Sequence, residues 1–225
     1  ITNASTVCTP YAIELARDGV AQGTTLLKNE QATLPLDPTK VNSMAVIGPM
    51  LGHTTTDKLS SYYGPLVSCG NFPFYVGHHK TMIDAVQHYI PASEVVMHCG
   101  ISGGSYNSTT QKMTCDGTPT ASYNATSVAA AAMLAAAADR VVLVVGNGLG
   151  LAAEGHDATN ISFPDGQSRL IEAVAAAAKL PVVVVTMTAS ALDISAILQN
   201  TNVGAVLHAG EPADSSLGVA DCIFG

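Results

Sequence analysis

At 225 residues, 48% hydrophobic and 12% charged, the chain has apolar sequence for one sizeable core, which excludes a disordered tail and favours one domain over two. Its formal net charge of −8, with nine Lys plus Arg and no basic cluster, argues against nucleic acid as a partner. The longest apolar run, residues 181–187, and the Ala-rich run 127–138 both fall short of a bilayer's thickness, so no membrane span is expected.

In chain order, residues 1–9 read as a linker from an upstream domain absent from this sequence, because Ile1 is not a natural start and no signal peptide is visible. Residues 10–225 read as one domain. Helical patterns cover residues 10–22, 80–89, 127–138 and 166–178; in the last, Leu170, Ile171, Val174 and Ala177 mark an apolar face. Short Val-rich runs between them predict strands over 43–48, 94–99, 140–146, 181–187 and 203–209. The run Val182-Val183-Val184-Val185 is apolar on both faces, as a strand in the middle of a covered parallel sheet must be. This alternation predicts a doubly wound, mostly parallel sheet with helices on both faces, an α/β sandwich with right-handed crossovers. Two segments break it. Residues 52–77, holding Tyr62-Tyr63-Gly64-Pro65, read as an extended loop, and the Ser/Thr/Gly-rich residues 100–122 read as a surface excursion.

Four N-x-[ST] triplets begin at Asn3, Asn107, Asn124 and Asn160, mostly in loop-like sequence. So many in so short a chain point to a secreted glycoprotein, located outside the cell or in the cell wall. The five cysteines (Cys8, Cys69, Cys99, Cys115, Cys222) show no C-x-x-C spacing, which argues against a zinc site. Cys99 and Cys115 bracket the second long loop and either close it as a disulfide or stand as isolated buried thiols; Cys222 lies in an apolar closing segment and reads as core. His78-His79 is a poor metal pair, since neighbouring side chains on a strand point apart. No metal and no cofactor are expected.

The stretch Glu154-Gly155-His156-Asp157 carries the chemistry. Glu154 lies eight residues past Gly146, the end of a predicted parallel strand, and so sits where open α/β sheets build their sites. The preceding run Gly146-Asn147-Gly148-Leu149-Gly150 invites a nucleotide-binding reading, but its spacing is not G-x-G-x-x-G. The loop also runs to Pro164 before any helix could present its N-terminus to a phosphate.

With its surroundings, this stretch resembles the second domain of glycoside hydrolase family 3, the β-xylosidase and β-glucosidase family. Val7-Cys8-Thr9-Pro10, Ala16-Arg17, Leu26-Leu27-Lys28-Asn29 and Leu34-Pro35-Leu36 resemble that family's entry helix and first hairpin. Ala45-Val46-Ile47-Gly48-Pro49 resembles its first sheet strand, and Ser61-Tyr62-Tyr63-Gly64 a loop near the sugar site. Val141 to Gly146 with Glu154-Gly155-His156-Asp157 is similar to the catalytic strand and loop, and Phe163-Pro164, Gln167 and Leu170-Ile171 to the helix that follows. The end, Val219 to Gly225, resembles the closing helix. The likeness covers nearly the whole chain and is nearest to the xylosidase branch.

In that family the matching Glu is the general acid/base, so the resemblance implies this role for Glu154 in a retaining exo-β-glycosidase acting on β-linked xylosides or glucosides. Retaining enzymes need a second carboxyl, roughly 5–5.5 Å away, as nucleophile. The family carries it on an upstream barrel, which becomes the implied partner; the isolated chain is expected to be inactive. Tyr62 and Tyr63 either stack on the sugar or are buried with their hydroxyls satisfied. His156 reads as a loop filler or hydrogen-bond partner, and Asp157 as holding the loop or as a plain turn residue; both border the substrate position the resemblance implies. Lys28 and Asn29 read as shaping a turn. Three positions depart from the family: Ala158 where it has Arg, residues 188–193 where it has a Gly-rich turn, and residues 210–216 where it has Gly-Tyr-Pro-Gly followed by paired glycines. These departures keep a second reading open, a non-catalytic glycoprotein interaction or structural module that kept the fold.

Overall fold

A computed structural model describes residues 9–52, 81–107, 112–115, 123–148, 151–188, 190–212 and 215–225. The strands are β1 (Thr25–Asn29), β2 (Met44–Ile47), β3 (Val95–His98), β4 (Gly104–Asn107), β5 (Lys112–Cys115), β6 (Arg140–Gly146), β7 (Val182–Met187) and β8 (Val203–Gly210). The helices are α1 (Pro10–Gly23), α2 (Met82–Tyr89), α3 (Ala125–Ala137), α4 (Asp165–Ala177), α5 (Ser195–Gln199) and α6 (Ser216–Phe224). Six strands form one sheet in the order β1-β8-β7-β6-β2-β3, and β4 pairs with β5 apart from it. Every neighbouring pair in the large sheet is parallel except β1 with β8. The predicted α/β sandwich is the observed one. The antiparallel edge strand β1 is an addition, found where the family resemblance placed a hairpin.

Topology explains why both faces are covered. From β2 the chain winds outward to β3 through α2; it then returns past β2 to β6 and winds the opposite way through β7 to β8. Right-handed crossovers that reverse direction put their helices on opposite faces. On one face, Val46, Val144, Val185 and Leu207 pack with Val86 of α2 and Val219 and Ile223 of α6. On the other, Ile47, Leu143, Val145, Val184 and Val206 pack with Val128 of α3, Leu170 and Val174 of α4 and Ile197 of α5. The four-valine run lies in β7, third in the sheet, and all four valines are buried. Burying such a side chain stabilises the fold by roughly 1.5–3 kcal/mol.

Local signals set the helix starts. A capping box begins α2: Thr81 accepts from the Asp84 N–H while the Asp84 carboxylate accepts from the Thr81 N–H. Asn124 caps α3 by accepting from the Ser127 N–H at 3.0 Å. Thr9, the last residue of the expected linker, caps α1. The expected excursion over residues 100–122 holds the β4–β5 hairpin, and Cys99 and Cys115 are joined as a disulfide that fastens the end of β3 to the end of β5. Cys222 is half-buried and packs against the core, and its thiol lies 3.5 Å from the Ala21 carbonyl of α1. Burial, ahead of the nearby Asp221 charge, raises that thiol's pKa. Among the described residues no helix is long and apolar enough to cross a membrane.

Candidate active site

The winding reverses between β2 and β6, and a reversal of strand order opens a crevice at the carboxyl ends of the two strands. The end of β6 is shaped with little tolerance. Gly146 has φ 150°, and a Cβ there would stand 1.8 Å from the Met187 carbonyl oxygen of β7. Gln167, fully buried in the first turns of α4, takes both backbone groups of the same residue: the Gly146 N–H donates to its Oε1 at 2.9 Å, and its Nε2 donates to the Gly146 carbonyl at 2.6 Å. Asn147 is buried; its N–H donates to the Met187 carbonyl and its Nδ2 to Ser190 Oγ at 2.6 Å.

From this anchor the chain runs into the candidate acid turn. Ala153 and His156 exchange both backbone hydrogen bonds, at 2.8 and 2.9 Å, which leaves Glu154 and Gly155 as the two central residues of a tight turn. Gly155 has φ 73°, the left-handed geometry that the second central position of a type II turn requires. Glu154 stands exposed at the tip, and His156 and Asp157 are exposed beside it. The turn is braced downstream: the Ser162 N–H donates to Asn160 Oδ1, the Asp193 N–H donates to the Ile161 carbonyl at 2.7 Å, and Ser162 bridges Asp193.

Thr188, Ser190 and Asp193, in the stretch that departs from the family's Gly-rich turn, make these ties. Thr188 folds this stretch by donating its hydroxyl to the Ser190 carbonyl and accepting the Ser190 N–H, and its own N–H donates to the Gly210 carbonyl of β8. Asp193 is held below the usual carboxylate pKa by hydrogen bonds from the Ser195 hydroxyl and N–H. The loop after β7 therefore ties the ends of β6 and β8 to Ile161 and Ser162, on the segment that follows the acid turn.

The other expected site residues divide. Tyr62, Tyr63, His78, His79, Cys8, Cys69 and Asn3 lie outside the described residues. Asn107, Asn124 and Asn160 are all exposed. Asn29 does shape a turn, since its amide bonds both the N–H and the carbonyl of Leu34. Lys28 acts elsewhere: its buried ammonium donates to the carbonyls of Leu198 and Asn200, closing the C-terminal end of α5. Among the described residues no three His, Cys, Asp or Glu side chains gather in a way that could hold a metal ion. Gln167, Asn147 and Ser190 were not singled out as site residues in the sequence.

A doubly wound sheet carrying a carboxylate turn beside its point of reversal defines an α/β domain of the kind that does ligand chemistry at its carboxyl edge. The chain belongs to glycoside hydrolase family 3: the model of the glycosyl hydrolase family 3 C-terminal domain matches residues 24–225. It is 34% identical over 220 residues to Beta-D-xylosidase 3 of Arabidopsis thaliana, covering 97% of this chain and 24% of that protein. It is 30% identical over 220 residues to Beta-xylosidase/alpha-L-arabinofuranosidase 1 of Medicago sativa, with the same two coverages. Among solved structures, a family 3 exo-β-xylosidase in complex with a xylobiose aziridine activity-based probe is similar at TM-score 0.71 and 25% identity, covering 96% of this chain and 24% of that one. The Listeria innocua β-glucosidase in complex with isofagomine has the same fold, at TM-score 0.76 and 17% identity, covering 99% of this chain and 26% of that one. The chain spans about a quarter of the length of the curated relatives it matches.

Proposed function

We propose that this chain is the acid/base-bearing second domain of a secreted, retaining exo-β-glycosidase of β-xylosidase type, with Glu154 as the general acid/base. The observation that carries the proposal is the exposed position of Glu154 at the tip of a two-residue turn, on the loop that leaves β6 at the sheet's point of reversal. In this mechanism Glu154 gives its proton to the glycosidic oxygen as the bond to the leaving group breaks. A carboxylate on an upstream barrel attacks the anomeric carbon, and Glu154 then takes a proton from the water that releases the sugar. A general acid of this kind works with a raised pKa, supplied by burial or a nearby carboxylate. Glu154 is exposed in this chain, so the cover must come from the barrel and the substrate. His156 and Asp157 border the sugar beside it, and Tyr62 and Tyr63 add a stacking face. Residues 1–9 connect the domain to the barrel, and no cofactor takes part.

The test is turnover of aryl β-xylosides and β-glucosides by the isolated chain and by the chain joined to a family barrel. The isolated chain is expected to be inactive. The joined protein is expected to turn over, and Glu154→Gln is expected to lower its kcat by roughly 10²–10⁴-fold. Turnover by the isolated chain that vanishes in the same variant would overturn the division of labour. A joined protein that folds yet shows no turnover would favour the non-catalytic reading suggested by Ala158 and the altered residues 210–216.

A further inference from the structure

A cleft of about 280 Å³ opens between α4, α5 and the segment that follows the acid turn. Its walls include Ser162, Phe163, Ile171, Glu172, Asp193 and Ile197; no residue of the acid turn and none of the residues that anchor the end of β6 lines it. Ile171 and Ile197 are buried, Phe163 is half-buried, and Glu172 and Asp193 are exposed, so the cleft sets C–H surface beside hydrogen-bond acceptors. Its volume falls just below the usual range of small-molecule sites and leaves room for one substituted sugar ring, not a chain of them. Ser162 is also the third residue of the triplet Asn160-Ile161-Ser162. The triplet lies in the loop between β6 and α4, all three residues are exposed, and Asn160 Oδ1 accepts the Ser162 N–H at 2.8 Å. This turn orients the Asn160 side chain and uses only its oxygen; Nδ2 makes no hydrogen bond among the described residues. Along the chain, Asn160 is at most about 7 Å from the cleft wall at Ser162. The other described triplets differ. Asn124 caps α3 with its next two residues inside the helix, Asn107 ends β4 opposite Lys112, and neither lines this cleft.

We propose that Asn160 carries an N-linked glycan and that this cleft seats its first sugar, an N-acetylglucosamine. In the transfer, Asn160 Nδ2 attacks C1 of the reducing-end sugar of a lipid-pyrophosphate oligosaccharide. The N–C1 bond forms as the bond from C1 to the pyrophosphate oxygen breaks; the lipid pyrophosphate leaves with the electron pair, and the amide gives up one proton. The acceptor triplet selects a sugar as the occupant, and the cleft beside it supplies the place. The sugar's hydroxyls donate to the carboxylates of Glu172 and Asp193, and its C–H face covers Phe163 and Ile161, which is 54% exposed. Seated there, the sugar fastens the segment after the acid turn to α4 and α5, adding to the tie that the Asp193 N–H already makes to the Ile161 carbonyl. The proposal rests on the reading of the protein as secreted, because the transfer belongs to the secretory route.

The test uses the chain secreted from yeast behind a heterologous signal peptide. Peptide mass spectrometry, with glycans released enzymatically in heavy-oxygen water, reads occupancy, and Asn160 is expected to be modified. Hydrogen exchange then compares three forms: the intact glycan, the glycan trimmed to its first sugar, and the glycan released. Amides of residues 193–197, on the α5 side of the cleft, are expected to exchange at least about fivefold more slowly in the first two forms than in the third. Glu172→Ala, at an exposed position of α4, is expected to keep the occupancy and lose most of that protection. An unmodified Asn160, equal exchange at 193–197 in all three forms, or protection lost on trimming to the first sugar would overturn the proposal. Protection confined to residues 160–162, or untouched by Glu172→Ala, would overturn the seat as well. No turnover is read here, and a joined protein unable to hydrolyse xylosides would leave Asn160 modified, so the two readings fail separately.

Discussion

Gly146 shows how little freedom the end of β6 has. An added methyl group there would collide with the Met187 carbonyl, which belongs to the backbone of a central strand and cannot rotate away. At φ 150° a side chain is also strained. Gly146→Ala is therefore expected to destabilise the domain by about 3 kcal/mol, measured by urea unfolding; a change near zero would mean that β6 and β7 part easily. Gln167 was legible in principle. It falls on the same helical face as Leu170, Ile171 and Val174, and a polar residue on a buried face needs a partner. The sequence could not say that the partner would be the backbone of Gly146. That pairing depends on where α4 lies against the sheet.

At the scale of elements, α1 is the most weakly packed of the longer helices. None of its residues is buried, and Tyr11 and Leu15 are 76% and 55% exposed. Beside Val20, which packs against the core, and the close approach of Gly218 on α6, one ion pair ties it down: Arg17 donates from Nε and from one terminal nitrogen to the two oxygens of Asp221 on α6, at 2.6 and 2.8 Å. Tyr89 of α2 donates to the same carboxylate and stacks on Phe224, with ring centroids 4.5 Å apart. One carboxylate thus joins three helices. Asp221→Ala is expected to cost about 1–3 kcal/mol and to speed amide exchange first in α1; uniform exchange across the domain would show that α1 is not held through this residue. A second element-scale tie is the Cys99–Cys115 disulfide, 16 residues apart, which closes the β4–β5 hairpin. Chain-entropy arguments put loss of such a loop at roughly 3 kcal/mol, so Cys99→Ser with Cys115→Ser is expected to lower the urea midpoint and leave the main sheet formed. Near-UV and far-UV spectra separate those two outcomes. The strands β2, β3, β6, β7 and β8 were legible because Val-rich runs between helical patterns leave few alternatives. The strands β1, β4 and β5 were not, since five residues or fewer with exposed or polar side chains carry no periodic signal, and each forms only against a partner distant in sequence or closed by the disulfide.

For the molecule as a whole, the acidic balance sets its response to pH. Burial alone would raise the Asp221 carboxyl, but the hydrogen bonds from Arg17 and Tyr89 outweigh it and hold the group below its usual pKa. Thr39 and Lys40 bring Asp37 down to about 2, and hydrogen bonds from Asn42 lower Asp139 against its own desolvation. A carboxylate with a depressed folded pKa adds stability that is complete above the unfolded value, ~3.9, and lost as pH falls through the folded one. His98 is lowered by burial, and its Nδ1 accepts from the Gly100 N–H at 3.0 Å, an arrangement that only the neutral ring supports. That contribution is complete above about pH 6.5 and fades as pH drops toward the lowered value. The urea midpoint is therefore expected to be flat from about pH 7 to 8, to decline gently below about 6.5, and to fall steeply below about 4; a midpoint that rose between about pH 5 and 3 would contradict the assignment. The sequence by itself determined the class of fold and the address of Glu154, because burial on two faces shows as unbroken apolar runs and because short motifs are contiguous in the chain. Only the tertiary structure decided that β1 closes the sheet antiparallel, that Asp193 holds the segment following the acid turn, and that Asp221 gathers three helices. Each of these joins residues far apart in sequence, and no local pattern encodes which distant partner a hydrogen-bonding group will meet.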